Sequence, residues 1–115
     1  MKQVLQGFVL GAAMAAAQWV SAGPIEDGVA EVQREWEVIK YQTPAKEREK
    51  RFEALASKAH QFSEASPGRS EPLVWEGIVM SSWAGEKGGL GALGLVKDAK
   101  VLYERALRIA PEALE

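Results

Sequence analysis

The stretch from Leu95 to Pro111 constrains this chain more than any other. Ala99, Tyr103, Ala106 and Pro111 follow one another at intervals of four, three and five. On a helix, residues three and four apart share a face, so Ala99, Tyr103 and Ala106 line up. The two alanines let a neighbouring helix approach closely. Proline has no N–H to donate and cannot continue a helix, so Pro111 ends the segment. The spacing predicts a helix that packs closely against a neighbour and stops at Pro111.

The preceding residues also read as helices. Ile25, Val29, Val32, Trp36 and Ile39 recur at intervals of four, three, four and three and draw one apolar stripe. Thr43 then reads as a cap, with Pro44 at the first position of a second helix. That helix carries Phe52, Leu55, Ala59 and Phe62 and ends before Ser66-Pro67-Gly68. The charge run Lys46 to Arg51 reads as its solvated face. Ser70 is placed to cap a third helix bearing Trp75, Ile78, Val79 and Trp83. The fourth helix has two stripes: Val96, Ala99, Tyr103, Ala106 and Ala110 on one side, and Leu95, Leu102 and Ile109 beside it. So wide an apolar arc calls for neighbours on more than one side. No segment alternates strictly between apolar and polar, as a half-buried strand would. The expected fold is all-α: two antiparallel helical hairpins within residues 23–115, joined near Pro67-Gly68.

The N-terminus reads as an address. Lys2 gives a positive start, Gly7 to Ala17 is apolar, and Val20-Ser21-Ala22 forms a small-residue cleavage site before Gly23-Pro24. That is the layout of a secretory signal peptide over residues 1–22. The apolar run between Gln6 and Gln18 falls short of the roughly 20 residues a membrane span requires, although retention as an anchor is the alternative. Removing it takes away one lysine and makes the formal charge of −2 one unit more negative. An acidic domain has no broad electrostatic attraction for nucleic acid or an anionic membrane. The absence of cysteine excludes disulfides, thiolate nucleophiles and thiolate metal ligands. An exported domain without disulfides points to the bacterial periplasm.

At Pro111 the chain resembles the tetratricopeptide repeat family. Counting back, Ala106, Tyr103 and Ala99 occupy the small, aromatic and small positions of the repeat's second helix. Trp75 and Ile78 fall where its first helix carries an aromatic and a leucine. The sequence departs from the pattern at Val79, where the family has a small residue. It also departs at Ala84 to Gly94, read as an overlong glycine-rich loop between the helices. Trp83 to Lys97 is similar to small exported bacterial members related to the helical periplasmic component of some tripartite ATP-independent transporters. The resemblance implies a right-handed stack of hairpins with a concave groove lined by Leu73, Glu76, Met80 and Trp83. Repeats of this kind bury their faces by stacking, and about three are usually needed. This chain supplies two. Glu112-Ala113-Leu114-Glu115 reads like the start of another helix, so the stack is expected to be incomplete at its C-terminal end: marginally stable, self-associating through the C-terminal helix, or a shortened form of a longer protein.

Catalytic chemistry is thin. Gly89, Gly91 and Gly94 satisfy G-x-G-x-x-G, but dinucleotide binding requires a strand immediately before the first glycine, and none is legible. Amides ahead of the fourth helix could instead hold a carboxylate or phosphate, with Lys87 and Lys97 as counter-charges. His60 is the only histidine, which rules out a multi-histidine metal site within the chain, and it reads as a surface residue. Glu47, Glu49 and Glu53 suit a salt-bridged surface. Ser81-Ser82 has no base nearby. No catalytic, metal or cofactor site is expected, and the chain does not read as an enzyme. The leading expectation is a periplasmic scaffold or adaptor that presents its groove to a protein or peptide. The alternative is an accessory component of a solute transport system that takes a small organic acid.

Overall fold

A computed structural model describes residues 23–113. The expected signal segment, residues 1–22, lies outside the described residues. Four helices account for nearly all of what is described: α1 (Pro24–Gln42), α2 (Ala45–Glu64), α3 (Ser70–Lys87) and α4 (Gly89–Ile109). No strand occurs among the described residues, and the fold is all-α. None of these helices is long and apolar enough to cross a membrane.

α1 opens with Pro24, where the missing N–H costs nothing, and Glu26 and Asp27 lie in its positively polarised first turn. Its stripe turns inward at Val32 and Ile39, both buried, with Trp36 packed beside them. Both expected caps are displaced by one residue. Thr43 does not cap α2: its Oγ1 donates to the Val38 carbonyl at 3.0 Å and closes the end of α1. Pro44 takes the N-cap place of α2 with no side-chain cap. Thr43 precedes a proline and is held extended, at φ −107° and ψ 135°, which separates the two helices. Likewise Ser70 is the first helical residue of α3, buried rather than capping, and Arg69 holds the N-cap place. The charge run on α2 is exposed as expected, except that half-buried Arg48 donates from Nε to the Thr43 carbonyl at 3.0 Å.

The helices pair as two hairpins, α1–α2 and α3–α4, joined through residues 65–69. α1 and α2 both rest on α3, and α4 rests on α3 alone. The main core lies among α1, α2 and α3 and contains Val32, Ile39, Phe52, Leu55, Ala56, Ala59 and Val79. A smaller core of Leu73, Leu102 and Ala106 joins α3 to α4. Trp36 links the hairpins. Its ring meets Trp75 edge-on at 6.1 Å, and its Nε1–H donates to Ser82 Oγ at 2.8 Å. Ser82 Oγ in turn donates to the Ile78 carbonyl at 2.9 Å.

Close approach of α3 and α4 depends on small residues. Ala84 on α3 and Ala99 and Ala106 on α4 are all buried. Tyr103 lies over Gly77, where an added Cβ would come within 2.5 Å of the ring. The small residue that the aromatic requires is therefore Gly77.

The overlong loop is not present. α3 runs through Lys87 and α4 starts at Gly89, leaving Gly88 alone between them. Gly88 and Gly89 take φ of 65° and 66°, a region that glycine enters without steric penalty, and this reverses the chain. Beyond them, Leu90, Ala92, Leu93 and Leu95 are good helix formers, and continuity with the part of α4 packed on α3 offsets the roughly 1 kcal/mol that each interior glycine costs. The additional residues lengthen both helices instead of forming a loop. The two-sided packing expected for α4 is also absent among the described residues. Ala99, Leu102 and Ala106 are buried on α3, while Val96 and Ile109 stay 52% and 43% exposed because no second helix reaches them.

Candidate functional site: a groove over α3

Because α2 and α4 both pack on α3 but not on each other, a trough is left between them with α3 as its floor. Its volume is about 560 Å³. Glu76, Met80 and Trp83, at intervals of four and three, present one face of α3 to it. α2 contributes Glu53, Ala56, Ser57 and His60, and α4 contributes Asp98, Val101 and Leu102. Three of the four expected groove residues are thus brought together. Leu73 is the correction: it is buried at 3% exposure in the smaller core with Leu102 and Ala106, because α4 closes over that end of α3.

Glu76 is the unusual member. It is 5% exposed, although an ionised carboxylate is costly to bury unless fully paired. Its Oε2 lies 3.0 Å from His60 Nδ1, and its Oε1 has no hydrogen-bond partner. Trp83 Nε1 is likewise buried without an acceptor. His60 stays on the surface, as expected, with its side chain 57% exposed. No cation of the described residues pairs with Glu53 or Asp98, and no lysine or arginine lines the groove. The result is a largely apolar trough lined by three carboxyls and one imidazole.

The His60–Glu76 contact was missed by sequence reasoning. One signal was available: Glu76 is the only charged residue between Glu71 and Glu86. A lone charge on an otherwise apolar helix is a candidate for functional burial.

The lysines proposed for an anion site are placed otherwise. Lys87 ends α3 rather than sitting in a loop. Its ammonium lies 3.6 Å from Glu49 Oε2, and its aliphatic stem crowds Gly91. Lys97 lies within α4, eight residues and about 12 Å beyond the first, and is exposed. The G-x-G-x-x-G glycines form the opening turns of α4 and follow a helix, so the strand–turn–helix geometry of a dinucleotide site is not formed. Ser81 Oγ is 3.4 Å from Tyr103 OH, and Ser82 is occupied by Trp36 and the Ile78 carbonyl, which leaves neither serine next to a base. A second concavity lies between α1 and α2, where Lys58 is engaged by Glu31 and Glu35. No group of three or more metal-ligating side chains converges among the described residues. No family model, curated protein or solved structure matches this chain.

Proposed function

We propose that this protein is a non-catalytic helical scaffold of the tetratricopeptide type, exported to the periplasm, that holds an extended segment of a partner protein in the groove over α3. The observation that carries the reading is the alignment of Glu76, Met80 and Trp83 along an uncovered trough between two helices. Methionine adapts to varied apolar shapes, and tryptophan dominates the energetics of many interfaces. The Ala99, Tyr103, Ala106 and Pro111 spacing and the close α3–α4 packing support the family reading. The apolar run ahead of Val20-Ser21-Ala22 supports export. Three carboxyls repel an organic acid or a nucleic-acid phosphate, so the groove favours the scaffold over a carrier of organic acids.

A photo-crosslinking amino acid at Ser57, which is exposed on the groove wall, tests the proposal in the native cell envelope. A discrete adduct is expected from Ser57 and none from exposed Gln33 on α1. Val101→Lys should abolish the adduct while leaving the melting temperature unchanged, since Val101 is 51% exposed. Equal crosslinking from Gln33, or an adduct indifferent to Val101→Lys, would refute the groove as the binding face.

A further inference from the structure

We propose that the groove is built to receive a basic side chain, lysine or arginine, carried on an extended partner segment with large apolar neighbours. This rests on the groove reading above and specifies the ligand. Glu53, Glu76 and Asp98 give the trough a negative potential that no lining lysine or arginine offsets. Beneath its floor, and shielded from solvent until a side chain above them moves, Glu76 Oε1 is an acceptor without a donor and Trp83 Nε1 is a donor without an acceptor. Groups of this kind are normally satisfied when buried. A cationic N–H is the partner that answers the missing hydrogen bond at Glu76 Oε1 and suits the neighbouring carboxyls of Glu53 and Asp98.

The spacing of the two groups distinguishes a segment from a small amine. Residues 76 and 83 are seven apart on one helix, about 10 Å along its axis. An extended chain advances about 3.3 Å per residue, so three residues cover that distance. A basic side chain can therefore reach Glu76 while a backbone carbonyl three residues along accepts from the Trp83 indole. A lone amine satisfies only the first. Met80 lies between them on the same face and is unbranched, so it is the side chain that yields as the segment reaches both atoms. The aliphatic stem of the entering lysine or arginine lies along Ala56 and Val101.

The test uses the purified protein and short fluorescein-labelled peptides whose central residue, set between leucine and phenylalanine, is lysine, arginine, methionine or glutamate. Anisotropy should give at least about tenfold tighter binding for lysine and arginine than for methionine, with glutamate weakest. In Glu76→Gln the preference should fall to about twofold or less, with the helical signal and melting temperature retained. Asp98→Asn, on the exposed wall, should reduce it by a smaller, salt-dependent factor. The Trp83 indole N–H resonance should move on binding the lysine peptide. Equal binding of the methionine peptide, or a preference unchanged in Glu76→Gln, overturns the cation inference and leaves the groove reading standing. Displacement of the lysine peptide by butylamine at matching concentration overturns the commitment to an extended segment. Absence of binding by any peptide, together with an unmodified Ser57 crosslinking pattern in Val101→Lys, removes both readings.

Discussion

Gly77 and Gly94 are both interior helical glycines, yet a methyl group added to each should have opposite effects. At Gly94 nothing lies within 4 Å of the new carbon, so Gly94→Ala gains helix propensity and should stabilise by up to about 1 kcal/mol. At Gly77 the carbon would press on three atoms of the Tyr103 ring, the closest at 2.5 Å. Overpacking of this kind costs about 1–3 kcal/mol, so Gly77→Ala should be destabilising despite the better propensity. Urea midpoints measure both, and in a Tyr103→Ala background the Gly77→Ala penalty should vanish. Glu76 offers the converse experiment. A buried carboxylate with one orphan oxygen destabilises the fold, so Glu76→Leu should raise the urea midpoint while abolishing the preference for basic peptides. A lower midpoint would mean that the His60 contact stabilises more than the burial costs. The Gly77–Tyr103 contact shows why single residues are hard to read from sequence. The 4-3-5 spacing located the aromatic, but which glycine receives it depends on the axial register of two helices.

At the scale of elements, the apolar stripes of α1 and α2 were legible because the buried positions repeat with the helical period, and no competing signal interrupts them. The α3–α4 junction was not. Four glycines between residues 88 and 94 outweigh leucine and alanine in any local reading, whereas the packed hairpin recovers what propensity loses. That compensation is weakest at the start of α4, where Leu90 is 87% exposed and Gly88, Gly89 and Gly94 have no neighbour a Cβ would touch. Amide exchange should therefore be fast through residues 89–94 and slow sharply from Ala99 onward. Uniform protection along α4 would contradict this. The start of α3 makes a separate prediction. The Arg69 guanidinium and the backbone N–H of Glu71 hold the Glu71 carboxyl below its ordinary 4.5. Because the folded value is lowered, the contribution is present above pH 4.5 and fades as pH falls through the folded value. Glu71→Gln should flatten stability in that acid window and change little at neutral pH, since both side chains are largely exposed.

Across the whole molecule, the candidate site depends on contacts that no local pattern encodes. His60 and Glu76 sit sixteen residues apart on different helices, and the groove exists because α2 and α4 flank α3 without meeting. The same asymmetry governs how the molecule should come apart. α1, α2 and α3 share a core anchored by Phe52 at 1% exposure, whereas α4 packs on α3 alone, around a separate small core of Leu73, Leu102 and Ala106 together with Ala99 and the Tyr103–Gly77 contact. A helix with a single neighbour loses all its tertiary contacts when that one interface parts, so it is expected to open first. Native-state hydrogen exchange in low urea should show α4 exchanging through a partial opening of lower free energy than the common opening of α1–α3. Leu102→Ala should lower the opening energy of α4 by about 2–4 kcal/mol and that of α1–α3 by the same amount, because α4 is already open in the state through which they exchange. Phe52→Ala should lower the common opening of α1–α3 by about 3–5 kcal/mol, a large share of the 5–15 kcal/mol typical of a small domain, and leave the partial opening of α4 unchanged for as long as that opening remains the lower of the two. Since α4 forms one wall of the groove, partial opening of α4 also dismantles the proposed binding face. A bound basic peptide should therefore raise the opening energies of α4 and of α1–α3 by the same amount, the one its affinity dictates. Merging of all four helices into one exchange isotherm, with or without peptide, would show instead that α4 is an inseparable part of a single cooperative fold.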